Sequence, residues 1–141
     1  MNKLLKFAIA PLALLIAPSI TAADKAAPLD PVYDTATVVT IAGTVTEIRE
    51  VPTDQPMRGL HLILRADSET LDVYVGPAEF VKIFDVIFKK GDNLKVIGSK
   101  VATANGTVVL AREVTLGTIT LLCRDNNGAP LWQYYIKPPV G

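Results

Sequence analysis

The chain of 141 residues holds one histidine, His61, and one cysteine, Cys123. Catalysis of the Ser/His/acid or Cys/His kind needs a base touching a nucleophile and an acid orienting the base, so His61 is the sole histidine available for that role. Nothing in the spacing joins it to a nucleophile. Ser99 follows Gly98 inside a strand pattern and not on a strand-to-helix elbow, and Ser68 falls in a turn. Cys123 shares the parity of Ile119 and Leu121 and reads as a small buried hydrophobe. The residues therefore point away from an enzyme. Tight zinc or copper sites draw three or four nitrogen and sulfur ligands, which His61 and Cys123 cannot supply, so no metal or other cofactor is expected. Asp67, Glu69 and Asp72 gather near one turn and read as a solvated turn, the alternative being a loose, oxygen-rich iron or calcium site.

Those residues sit in a chain with 14 basic and 14 acidic side chains, and half of its residues are hydrophobic. That balance excludes a disordered chain and a polybasic nucleic-acid or membrane binder. The N-terminus differs from the rest. Lys3 and Lys6 precede an apolar run broken at Pro11, and small residues end at Ala23, which is the pattern of a secretory signal peptide over residues 1–23, cleaved before Asp24. The alternative is an uncleaved anchor, for which the run is short. A periplasmic protein without a stable membrane span follows, with a slight acidic excess once Lys3 and Lys6 are removed. Residues 24–36 carry no apolar period and read as a flexible or loosely docked leader.

From Thr37 the pattern is that of strands. Val39 and Ile41 alternate up to Gly43, and Val45 and Ile48 then fall out of step, as at a bend or bulge in a long first strand. Pro52 and Pro56 make residues 51–58 a loop. Leu60, Leu62 and Leu64 share one face, and Leu71, Val73 and Val75 alternate likewise, so the two segments form an antiparallel hairpin. Pro77 opens a predicted helix in which Phe80, Ile83, Phe84, Ile87 and Phe88 hold helical spacing until Gly91. Strands over 93–100 and 107–115 follow, joined through Asn105-Gly106. The order β-β-β-α-β-β is that of a five-stranded OB-like barrel, mainly β, with one helix between the third and fourth strands. Residues 118–132 add a C-terminal β extension turning at Asn126-Asn127-Gly128, and the domain spans 37–132 with a tail over 133–141.

An OB barrel binds on the outer face of strands two and three and on the loops joining strands one to two and four to five. Parity collects His61, Arg65 and Tyr74 on that face, flanked by Arg58 and the loop containing Asp54. They are the candidate ligand-binding residues, expected to point outward and to tolerate alanine, whereas Leu62 is expected to be core. The alternative for His61 is a surface histidine or one packed beneath the C-terminal extension. Tyr74 alone offers stacking on this face, so single-stranded nucleic acid is not an expected partner. Arg112 shares the parity of Val108, Leu110 and Val114, so unless a bulge intervenes it is a buried member of a structural ion pair. Trp132 reads as a lid on the barrel.

Gly43-Thr44-Val45, Leu60-His61-Leu62, Gly76-Pro77, Gly91-Asp92, Gly98-Ser99, Ala111-Arg112-Glu113-Val114, Arg124-Asp125 and Gly128-Ala129-Pro130-Leu131-Trp132 stand in an order that resembles small exported bacterial OB-fold-like proteins. Over about Val38 to Trp132 the chain is also similar to the periplasmic domain of magnetosome-associated proteins of the S and X type. That resemblance implies a role in iron-mineral assembly or redox balance. Cys123 is followed by Arg124-Asp125-Asn126-Asn127 and not by a c-type haem attachment sequence, so electron transfer does not carry over. Two functions are carried forward: a non-enzymatic periplasmic binding module for a protein, peptide or small ligand, and metal or redox handling in the cell envelope.

Overall fold

Among the described residues, strand alternation with glycine and proline at the breaks folds into six strands and one short helix. They are β1 (Val38–Val51), β2 (Gly59–Ala66), β3 (Glu69–Gly76), α1 (Ala78–Ile83), β4 (Asn93–Thr103), β5 (Gly106–Leu116) and β6 (Ile119–Leu122), with 3-10 turns at Thr35–Thr37 and Leu131–Tyr134. The computed structural model describes residues 30–137; the expected signal peptide at 1–23, residues 24–29 of the leader and the last four residues lie outside the described part. The sheet runs β3-β2-β1-β4-β5-β6, and a parallel pairing of β3 with β5 closes the first five strands into a barrel. The helix lies between β3 and β4, and β6 is bonded to β5 outside the ring. The mainly β, five-stranded OB-like barrel expected from the element order is the fold.

The inner faces supply the core. Leu62, Leu64, Val73, Val75, Phe80, Val96 and Val109 are fully buried there, each contributing about 1.5–3 kcal/mol relative to exposure. β1 serves both neighbours by bending. Its register against β2 shifts between Val45 and Glu47, which leaves Thr46 as the extra residue and lets Ile48 face Leu62. The out-of-step Val45 and Ile48 pattern is the trace of this bulge.

The expected helix over residues 77–91 is shorter, ending at Ile83. Asp85 takes a left-handed backbone at φ 55°, and the chain beyond it extends. Val86 and Phe88 are both buried while Ile87 is 72% exposed, an alternation of two that a helix cannot give. Backbone bonds from Gly91 N to Val45 O at 2.8 Å and from Val45 N to Asp92 O at 2.9 Å tie the segment to β1.

Arg112 keeps the expected ion pair but not the expected burial. Ile97 pairs with Glu113 and Gly98 with Ala111, so Arg112 is the unpaired residue of a bulge and leaves the apolar face. It does meet a carboxylate, Glu113 Oε2 at 3.3 Å, but the pair is half-buried and local.

A second apolar layer lies on the outside of the barrel. Tyr74, Val108 and Leu110 are buried there beneath Tyr33, Met57, Val101 and Trp132. Trp132 packs edge-on to Tyr74 and Phe80, with ring centroids 6.1 and 5.9 Å away. Its indole rests on Gly76, where a Cβ would come within 2.8 Å of Cζ3 and where φ is +138°. Gly76→Ala therefore combines backbone strain with displacement of the lid, and should cost about 2–4 kcal/mol in denaturant unfolding. A loss below about 0.5 kcal/mol would mean that Trp132 does not hold this seat.

Candidate functional site

The hairpin register puts His61 opposite Tyr74 on β3 and Arg49 on β1, all on the outer face. Parity is as expected; exposure is not. His61 is 3% and Tyr74 7% exposed, because residues 52–58 fold over the histidine and Trp132 covers the tyrosine. The expectation that both point into solvent is corrected on this ground: strand parity selects a face but cannot say what later chain covers it.

His61 is held at both ring nitrogens. Nδ1 lies 2.8 Å from Asp72 Oδ1, and Nε2 lies 2.8 Å from the carbonyl oxygen of Met57. Both partners are acceptors, so each nitrogen must carry a proton, and the geometry is satisfied only by an imidazolium. Burial opposes that charge, yet the hydrogen bonds the ring donates to Asp72 and Met57 and the carboxylate's charge outweigh it, and the pKa is raised. The ring lies against Tyr74, with centroids 4.9 Å apart. Tyr74 Oη donates to Arg58 O at 2.8 Å, and burial pushes its phenol up to about 12, so it stays neutral.

The clamp fixes the β1–β2 loop. Met57 sits at φ 54°, a strained conformation for a side-chain-bearing residue, and its N–H donates to Asp30 Oδ1 at 3.3 Å while its carbonyl accepts from His61. Beside this loop, the β4–β5 turn at Thr103–Gly106 is braced by Thr103 Oγ1, which donates to Gly106 O at 2.6 Å and accepts from Asn105 N at 3.1 Å. Between the two loops opens a cleft of about 380 Å³ with Arg49, His61 and Asp72 among its polar lining and Val51, Met57 and Val108 among its apolar lining.

Of the sequence candidates, the structure brings His61 and Tyr74 together with Asp72 and leaves the others apart. Arg65 is exposed at the far end of β2, where its Nε donates to Asp67 O at 3.3 Å. Arg58 turns its guanidinium to Glu79 on α1, 3.6 Å away, and contributes only its carbonyl, to Tyr74. The acidic trio is dispersed as well: Glu69 bonds Lys100 at 2.8 Å and Asp72 is engaged by His61. Arg49 was not among the candidates, although the Thr46 bulge is what turns it onto the His61 face. It holds Glu47 through Nε to Oε2 at 2.6 Å and Nη2 to Oε1 at 3.1 Å, and remains 56% exposed at the cleft.

Residues 37–121, more than half of the chain, match the sequence model of the MamS/MamX magnetosome protein family. No curated protein matches the chain significantly.

The histidine clamp makes stability depend on pH with a definite sign. A pKa raised on folding contributes stability that is fully present below the unfolded value of about 6.5 and is lost as pH rises through the folded value. Neutral His61 keeps one N–H and must release either Asp72 or Met57. The melting temperature should therefore fall as pH rises across and above neutrality, and Asp72→Asn should flatten the dependence. Nitrogen-detected NMR at pH 6 should find both ring nitrogens protonated; a single protonated nitrogen there would rule out the clamp.

Proposed function

The chain belongs to the MamS/MamX magnetosome protein family, and we propose that it is an exported, non-enzymatic binding module whose ligand occupies the cleft between the β1–β2 and β4–β5 loops. One observation carries this reading: the cleft lies between the two loops and against the outer strands through which OB barrels take ligands, and it is lined by side chains from all of them. A small polar ligand with an acidic group suits the lining. The Arg49 guanidinium, paired to Glu47 yet 56% exposed at the rim, and the His61 imidazolium beneath it supply positive charge, while the nearby Asp72 carboxylate is already engaged by His61.

The metal or redox alternative finds less support at this site. Both nitrogens of His61 are occupied, and Cys123 is fully buried, with burial pushing its thiol up to about 12, so neither is poised as a ligand or redox group. Export rests on the N-terminal pattern of Lys3, Lys6 and the apolar run that follows, and the periplasm is the destination it implies.

Two measurements test the reading. Protein beginning at Asp24 and lacking a histidine tag is screened by thermal shift against small carboxylates and inorganic phosphate, and hits are titrated by calorimetry. Arg49→Ala should weaken a true cleft ligand by about tenfold, as for one lost charge-assisted hydrogen bond, without lowering the melting temperature. No binder, or binders indifferent to Arg49→Ala, would remove the cleft from the account, and turnover of a hit would remove the non-enzymatic part. After cell fractionation, N-terminal sequencing of the periplasmic protein should begin at or near Asp24; recovery of Met1 would overturn export by cleavage.

A further inference from the structure

β6 ends the sheet, and among the described residues no strand pairs with its outer side. Cys123 N donates to Arg112 O on β5 at 2.8 Å. Strand N–H and C=O groups alternate in direction, so Leu121 and Ile119 also face β5 while Thr120 and Leu122 turn theirs away from it. Thr115 and Thr120 meet through their hydroxyls at 2.9 Å, the close side-chain approach of a non-hydrogen-bonded pair, in agreement with that assignment. Among the described residues no backbone group outside the ladder bonds to Thr120 or Leu122. Edge strands are ordinarily guarded by lysine, proline, a bulge or a covering element. Ile119–Leu122 reads Ile-Thr-Leu-Leu, and Ile119 and Leu122 are both more than half exposed.

Along this edge runs a groove of about 300 Å³, lined by all four residues of β6 and by Phe84, Val86, Leu131 and Tyr135, none of them charged. Phe84 and Tyr135 stand edge to face with centroids 5.2 Å apart and form one wall. We propose that this groove takes an extended peptide segment of another polypeptide as an added strand, its backbone pairing with Thr120 and Leu122 and its alternate apolar side chains entering beside Phe84 and Tyr135. The free backbone groups specify an extended occupant, and the uncharged lining specifies apolar side chains. A four-residue edge beside a groove of about 300 Å³ is the size of a short segment, small against the about 1,200–2,000 Å² that a stable dimer buries. This surface is separate from the His61 cleft and does not rest on the reading given to it.

The probe is a phage-displayed library of linear peptides panned against protein beginning at Asp24, with enriched sequences resynthesised and their affinities measured. Enriched peptides should carry apolar residues at alternate positions, and should slow hydrogen exchange at the Thr120 and Leu122 amides. Thr120→Pro deletes one outward N–H without touching the backbone ladder to β5, and should weaken binding at least about tenfold, against Thr120→Val, which removes the same hydroxyl bond to Thr115 and keeps the N–H, as the control that should bind as the parent does. Leu122→Lys, which guards the edge with a charge, should weaken binding as the proline does and decides the matter if the proline variant fails to fold. Absence of enrichment, or affinities indifferent to both Thr120→Pro and Leu122→Lys, overturns the proposal. So does a concentration-dependent dimer abolished by Leu122→Lys, since that would place a second copy on the edge.

Discussion

Closure of the barrel rests on three residue pairs. Asp72 meets Val108, Val73 meets Val109 and Tyr74 meets Leu110 where β3 and β5 run parallel, and without that seam the sheet is open, with β3 and the Val108–Leu110 stretch of β5 bare. The seam also builds the site. Val73 and Val109 turn inward to the core, so Asp72 and Tyr74 must turn outward, and the hairpin register sets His61 opposite Tyr74. The polar clamp and the apolar core are thus two faces of the same closure. Loss of packing at the seam would be felt at the Asp72–His61 bond, which spans β2 and β3 beside it.

Placing an imidazolium under a loop is costly unless every proton is met, and here the two N–H groups find a carboxylate and a carbonyl. The arrangement converts a charge into a tether: Met57 is drawn down at a strained φ, and the loop that forms one lip of the cleft is held in place. Groups facing His61 from other elements act in opposite directions. Asp72 on β3 favours the charged ring, whereas Arg49 on β1 opposes it, so any anion drawn to Arg49 reinforces the tether. Family membership adds context without specifying this chemistry, because Cys123 is buried and lacks the residues of a haem attachment sequence after it.

The strands were legible because burial on one face writes itself as alternation: Leu60, Leu62 and Leu64, then Leu71, Val73 and Val75. The bend in β1 was legible as the three-residue step from Val45 to Ile48. What alternation cannot encode is cover supplied from afar. His61 and Tyr74 lie on the outer face by parity, but Met57, Tyr33 and Trp132, remote in sequence from at least one of them, bury that face. Two further departures have local causes that composition does not announce. Residues 83–88 suit helix and extended chain alike, and the barrel floor selects the form that buries both Val86 and Phe88. Arg112 kept the parity of its neighbours on paper until one bulge took it out of step. Arg49 is the converse case, since the bulge at Thr46 changes which residues of β1 beyond it share the His61 face.

The C-terminal extension meets two demands that pull against each other. Covering the Tyr74 face requires chain to travel from the end of β5 to Gly76, and β6 with the Arg124–Pro130 bridge provides that route, ending with Trp132 seated on the glycine. Arg124 braces the turn, donating Nη1 to Gly128 O at 2.9 Å with its guanidinium 5.0 Å from the Trp132 ring and 5.9 Å from that of Tyr33, so charge is spread over aromatic faces where few acceptors reach. Yet a strand added outside a closed ring cannot abolish an edge; it can only carry one outward. Pairing with β5 satisfies one side of β6 and presents the other, from Ile119 to Leu122, to the surroundings. The lid that seals one face of the barrel is therefore inseparable from the open strand beside it, and the apolar walls of Phe84 and Tyr135 make that edge a groove and not merely a margin.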